Sequence, residues 1–246
     1  SHSWLGRLNN IRTALQGQQG DRRLRLGIAG GEWKKMMADA TARTRFASEV
    51  KKIIEQYEFD GVDFDFEWPA NASEYNNYSA TVIQMRSTLG KYVYFTASLH
   101  PVSFKISPEA IDALDFISYQ CYGPAVMRFP YEQFVKDGEA AVAYGIPKNK
   151  LVMGVPFYGS TGSFAAYCDF VNDGLATTNE DTYTYKGNTY TFNSIETIRK
   201  KARYVCEEDY AGIMSWDLAT DIDITNNKSL LKVIKEEFEY YANPTE

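Results

Sequence analysis

The chain has 246 residues, 44% of them hydrophobic and 24% charged, which is the composition of an ordinary globular protein long enough for one substantial core. A formal net charge of −6 and a pI near 5.1 argue against nucleic acid or an anionic membrane surface as the main partner, and no apolar run is long enough to span a bilayer. Cys121, Cys168 and Cys206 show no CxxC spacing and His2 and His100 are the only histidines, which argues against a disulfide framework, a zinc knuckle and a His-based triad; acid chemistry has to come from carboxylates.

In chain order, NNIRTALQG (9–17) has a helical pattern and LRLGIAGG (24–31) that of a buried strand. A helix over 40–58 follows, with Phe46, Val50, Ile53, Ile54 and Tyr57 on one face. FDGVDFDFEWP (59–69) is the next strand, and Ser73 is placed to cap a helix to about Leu89 with Tyr78, Val82 and Met85 inward. Further buried strands are expected at 92–100, 115–123, 151–159 and 212–221, with a helix at 130–144 stopped by Gly145 and Pro147 and a last helix at 229–241. Between about 160 and 211 the rhythm breaks: TYTYKGNTYTF (182–192) is a hairpin pattern around Gly-Asn, followed by a helix over 194–207 with Ile195, Ile198, Ala202 and Val205 inward.

Near-continuous apolar strands separated by helices imply parallel β/α units covered on both faces, as in a barrel or a doubly wound sheet. If the fold is an eight-stranded barrel, two N-terminal strands are absent from this sequence. The expected organisation is one barrel domain over 1–246, N-terminally incomplete, with 160–211 as an insertion between the last two strands.

In the 59–69 strand, Asp63, Asp65 and Glu67 alternate with Phe64 and Phe66. The three carboxylates therefore share a face, roughly 6–7 Å apart in succession, while the phenylalanines point the other way. Like charges that close, poorly solvated, raise at least one pKa, so one group holds a proton near neutral pH. A proton beside an anion is what glycosidic bond cleavage requires, and Glu67 lies last, towards the strand end where barrel active sites sit. On spacing alone, a site for Mg²⁺ or Ca²⁺ stays open.

DGVDFDFE, residues 60–67, resembles the DGxDxDxE signature of glycoside hydrolase family 18, the chitinases and their relatives, at every fixed position. AGGEW (29–33), YQCYG (119–123), GVPFYG (154–159) and GIMSWDLATD (212–221) follow in the order of that family's SxGG, M/Q-x-Y, GxPFYG and tryptophan-bearing landmarks. The resemblance implies a TIM (β/α)8 barrel with a small α+β insertion before the last strand. It also implies a retaining, substrate-assisted hydrolase of β-1,4-linked N-acetylglucosamine, needing no metal or cofactor. By the same resemblance Glu67 is the acid and base, Asp65 orients the substrate acetamido group, Asp63 holds Asp65 and shares its proton, and Tyr122 bonds the acetamido oxygen. Trp216, Gln120, Tyr158, Gly31, Trp68 and Asp217 are the expected substrate contacts, Trp216 as the floor under the sugar being cleaved.

The expected partner is an oligo- or polysaccharide containing N-acetylglucosamine, not nucleic acid, and such substrates point to a secreted, periplasmic or cell-surface location; oligomeric state stays open. Two departures stand out: the serine of SxGG is missing, and Gly123 replaces the Asp or Asn that commonly follows the tyrosine. Alternatives are an endo-β-N-acetylglucosaminidase acting on the N-glycan chitobiose core, which the Trp68-Pro69 pair disfavours, and a silent chitinase-like lectin, which the retained Glu67 disfavours. Trp33 and Trp68 are each a sugar platform or a cap on the helix layer, and His100 is a polar rim residue.

Overall fold

The computed structural model describes residues 3–16, 21–123 and 125–243. Helix α1 (Trp4–Leu15) precedes strand β1 (Arg25–Ile28), helices α2 (Trp33–Ala38) and α3 (Ala40–Gln56), strand β2 (Gly61–Phe64) and helix α4 (Ala72–Leu89). Strand β3 (Tyr94–Leu99), helix α5 (Pro108–Ala113), strand β4 (Phe116–Tyr119), helix α6 (Tyr131–Tyr144) and strand β5 (Leu151–Pro156) continue the alternation. The segment that breaks the rhythm holds β6 (Tyr158–Ser160), β7 (Phe164–Ala166), α7 (Tyr167–Asn172), β8 (Thr182–Tyr185), β9 (Asn188–Thr191) and α8 (Ile195–Glu207). Strand β10 (Gly212–Trp216) and helix α9 (Leu230–Ala242) follow.

The main sheet is parallel throughout, in the order β1-β2-β3-β4-β5-β10. Its register sets Asp63 between Gly27 on one side and Thr96 on the other. Phe64 and Phe66 turn away from the carboxylates into the helix layer, where Phe64 is fully buried against Phe46 and Phe95, and Phe66 stacks on Trp33 at 5.7 Å. Burying each such ring contributes roughly 2–3 kcal/mol, so the same alternation that aligns the acids also anchors the strand. Met37, Val50, Tyr78, Val82 and Met85 pack from α2, α3 and α4 over this side of the sheet. A second, antiparallel sheet in the order β7-β6-β9-β8 surrounds the Phe170 ring with Tyr183, Tyr185, Tyr190 and Phe192.

Several local expectations are corrected. Regular β2 pairing ends at Phe64, so Asp65 and Glu67 lie on the extended segment leaving the strand; the Asp65 amide still bonds Ile28 O at 2.9 Å. Asn71, not Ser73, caps α4 by accepting from the Glu74 amide, while the Glu74 carboxylate accepts from Ala70 N. Ile53 is exposed, because the inward face of α3 runs through Ala47, Val50 and Ile54. The hairpin turns at Lys186-Gly187, both at positive φ, with Tyr185 paired to Asn188, rather than at Gly-Asn. The first helix begins at Trp4, five residues earlier than its pattern, and Gly17 and His2 lie outside the described residues. Among the described residues no helix is long and apolar enough to cross a membrane.

Candidate active site

At the C-terminal ends of the parallel strands lies a cavity of about 560 Å³, lined by Ala29 and Gly30 after β1, Asp65, Glu67 and Trp68 after β2, and His100 after β3. Gln120, Tyr122 and Gly123 after β4, Tyr158 and Trp216 complete it. This is where loops of parallel α/β folds converge, and the volume is that of a small-molecule site.

Gln120 organises the acids. Its Nε2 donates to Glu67 Oε1 at 3.1 Å and to Asp65 Oδ1 at 3.3 Å, and its Oε1 accepts from Trp68 Nε1 at 3.2 Å. With the indole able only to donate, the amide has one orientation that satisfies all three partners. Burial first, then the charges of Glu67 and Asp63, push the Asp65 carboxyl up to about 7, and a hydrogen bond with Glu67 adds to the effect. The site thus retains a proton near neutrality, on Asp65 beside the exposed Glu67.

Asp63 sits one layer deeper. Its Oδ2 accepts from Ser98 Oγ at 2.7 Å, and its Oδ1 accepts from the Thr96 hydroxyl and, at 3.5 Å, from Arg25 Nη1. Arg25 also donates to the Thr96 hydroxyl and lies over the Phe116 ring. The Asp65 hydrogen bonds run to Gln120 and Glu67. No Asp63–Asp65 hydrogen bond occurs among the described residues; Asp63 acts on Asp65 by its proximity, while its own oxygens accept from Ser98, Thr96 and Arg25. Arg25, Thr96 and Ser98 were not singled out from sequence, although Thr96 and Ser98 follow the same two-residue period as the acids.

Tyr122 directs its hydroxyl to Met214 Sδ at 3.3 Å, and burial, with Tyr158 and Asp65 adding, holds its phenol far above the ordinary value. It is a neutral donor. Gly154 lies beneath it: a Cβ there would stand 2.8 Å from the Tyr122 ring and 2.5 Å from Tyr119 O. Gly123 has φ of +40°, and a side chain would approach the Tyr158 hydroxyl within 3.0 Å, which gives a steric reason for glycine where a polar residue is common.

His100 is buried beneath Trp68, ring centroids 4.6 Å apart, rather than on the rim. Its Nδ1 accepts from Val102 N, leaving Nε2 to donate to the carbonyls of Gly123 at 2.6 Å and Tyr122 at 3.1 Å. Trp216, read from sequence as buried, is 46% exposed. Trp33 is a core residue and Trp68 a cavity residue. Gly31 is exposed outside the lining, and Asp217 caps the turn Leu218–Thr220 while its Oδ1 is buried without a partner. The peptide bonds Glu67–Trp68 and Trp216–Asp217 are cis. Among the described residues no group of three or more His, Cys, Asp or Glu side chains could hold a metal ion, and all three cysteines are free.

Parallel strands delivering a carboxylate pair and aromatic side chains to one cavity at their C-terminal ends define a site of the α/β-barrel class. Residues 5–221 match the family described as Glycosyl hydrolases family 18, and the chain belongs to that family. It is 23% identical to the probable chitinase 2 of Drosophila melanogaster over 88% of this chain and 60% of that protein. Its fold is that of a chitinase from Bacteroides thetaiotaomicron (TM-score 0.81, 23% identity, 96% of this chain and 82% of that one). The chitinase-like agglutinin of Robinia pseudoacacia is similar too (TM-score 0.78, 18% identity, 97% and 87%). The fold class is therefore the TIM-type barrel, with six of its strands present among the described residues. The chain spans less than two thirds of the Drosophila relative's length.

Proposed function

We propose that this chain is a chitinase-type glycoside hydrolase that cleaves β-1,4 links between N-acetylglucosamine units with retention, its residues 1–246 acting as one catalytic domain and 160–211 as an insertion beside the cavity. The observation that carries the reading is the Asp65–Glu67 pair, bridged by one amide and with the Asp65 carboxyl pushed up to about 7, in a cavity walled by Tyr122, Tyr158 and Trp216. Glu67, the exposed member, takes the shared proton from Asp65 and passes it to the oxygen between two sugars. The substrate's own N-acetyl carbonyl attacks the anomeric carbon, forming an oxazolinium ion, and the glycosidic bond breaks with its electron pair leaving on the protonated oxygen.

Asp65 orients and stabilises the acetamido group during this step, and the Tyr122 hydroxyl turns from Met214 to its oxygen. Asp63, fixed by Ser98, Thr96 and Arg25, stands behind Asp65 and supports it from below. Glu67, now the base, takes a proton from the water that opens the oxazolinium. Trp216 and Trp68 offer apolar ring faces to the sugars on either side of the cleaved bond. A substrate of this kind also favours an exported location.

The test is mass-spectrometric product analysis of a chito-oligosaccharide of about six sugars incubated with the wild type and with Glu67→Gln. Wild type is expected to cleave it, the variant to lose roughly 10²–10⁴-fold in turnover while still binding, and a chelator to change neither. Silence from folded wild type would move the substrate to an N-glycan core or the protein to a lectin; inhibition by the chelator, relieved by Mg²⁺ or Ca²⁺, would restore the metal reading.

A further inference from the structure

Phe164, on β7 of the small sheet, is 52% exposed, and it stands next to the 46%-exposed Trp216. Its ring stacks on Tyr158 at 5.2 Å with 29° between planes and meets Trp216 at 5.8 Å and 78°. Tyr158 in turn meets Trp216 at 5.4 Å and 86°, so Tyr158 and Phe164 form a parallel pair standing roughly perpendicular to the indole. Leu218, 62% exposed, follows two residues after Trp216. Lone exposed apolar residues are ordinary. Here the exposed ring is in contact with two aromatics that line the cavity, while itself lying outside the lining.

The ring is also held in place. Strand pairing sets Tyr158 opposite Ala166 and Ser160 opposite Phe164, with the reversal at Gly162 (φ +95°), and Ser160 pairs in turn with Thr191 on β9. One face of Phe164 rests on Tyr158, which Phe129 supports from a further side at 5.5 Å, and beside its contact with Trp216 the residue keeps about half of its surface open to solvent. An immobilised aromatic with a free face loses little entropy on binding a ligand. Having no polar edge, it offers an apolar face of the kind that the C–H-rich face of a sugar ring can cover.

We propose that Phe164 is a sugar-binding platform outside the cavity, taking the unit of an N-acetylglucosamine chain next to the one lying over Trp216, and that the insertion sets chain-length preference through it. This rests on the substrate class proposed above. Calorimetric titration of the Glu67→Gln protein, which does not consume its ligand, tests it with the N-acetylglucosamine disaccharide and hexasaccharide, alone and with Phe164→Ala or Phe164→Trp added. Phe164→Ala is expected to weaken hexasaccharide binding about three- to tenfold and leave the disaccharide unchanged, and Phe164→Trp to keep or improve hexasaccharide affinity. Unchanged hexasaccharide binding in Phe164→Ala, or an equal loss for both lengths, overturns the platform while the substrate class stands. If the Glu67→Gln parent binds neither sugar, the substrate class falls and the platform with it.

Discussion

Asp65 has the inverse of the usual aspartate behaviour. An unfolded aspartate ionises near pH 4, whereas burial and the neighbouring acids hold this one protonated to about 7. Between those values the folded chain carries a proton that the unfolded chain has released, so the group's contribution to stability is full below about pH 4 and is lost as pH rises through 7. Wild type is therefore expected to lose a few degrees of Tm, about 2–6 °C after allowing for solvent screening, relative to Asp65→Asn between pH 4 and pH 7.5. In the same experiment kcat/KM should fall above about pH 7 as the shared proton leaves; a profile flat across neutrality would remove the pair from the chemistry. Period-two alternation made these acids legible in the sequence. Arg25 and Phe164 were not, because an arginine in a buried strand does not name its partner and a phenylalanine in an irregular insertion belongs to no period.

Helix α8 shows how an element joins the insertion to the barrel. Its inward face carries Ile198, Ala202 and Val205 as its pattern predicts, and also the fully buried Lys201, whose Nζ donates to Phe129 O at 2.7 Å and Asn193 Oδ1 at 2.6 Å. Burial pushes this amine down to about 7. An unfolded lysine stays charged to about 10.4, so in between the unfolded chain holds the extra proton and stability rises with pH. Urea midpoints of wild type and Lys201→Met at pH 7 and pH 9 should show wild type gaining on the variant by roughly 1 kcal/mol per pH unit; parallel behaviour would mean the amine is charged throughout. Helices α2 and α5, six residues each, are too short to display a period and went unseen. For α4 both Asn71 and Ser73 are good caps, and the bond to Glu74 N decides for Asn71.

For the whole molecule, β/α alternation left a barrel or a doubly wound sheet open, and the family resemblance decided for the barrel, whose parallel strands follow one another in chain order. What closes the sheet is not written in any single segment. Strands β1 and β10 are the edges among the described residues, and both are half-exposed along most of their length, whereas β3, β4 and β5 are almost wholly buried. Hydrogen exchange of this chain should accordingly find the slowest amides in β3–β5 and faster opening in β1 and β10; uniform protection would show the edges covered. The cavity draws on both edges of that sheet, with Ala29 and Gly30 following its first strand and Trp216 ending its last. Synthesis runs in one direction, so the acid Glu67 leaves the ribosome long before the Trp216 indole that shares its cavity, and long-range pairing is the slow part of folding. A half-made chain carries the acids without the indole, and the cavity is complete only once β10 has docked.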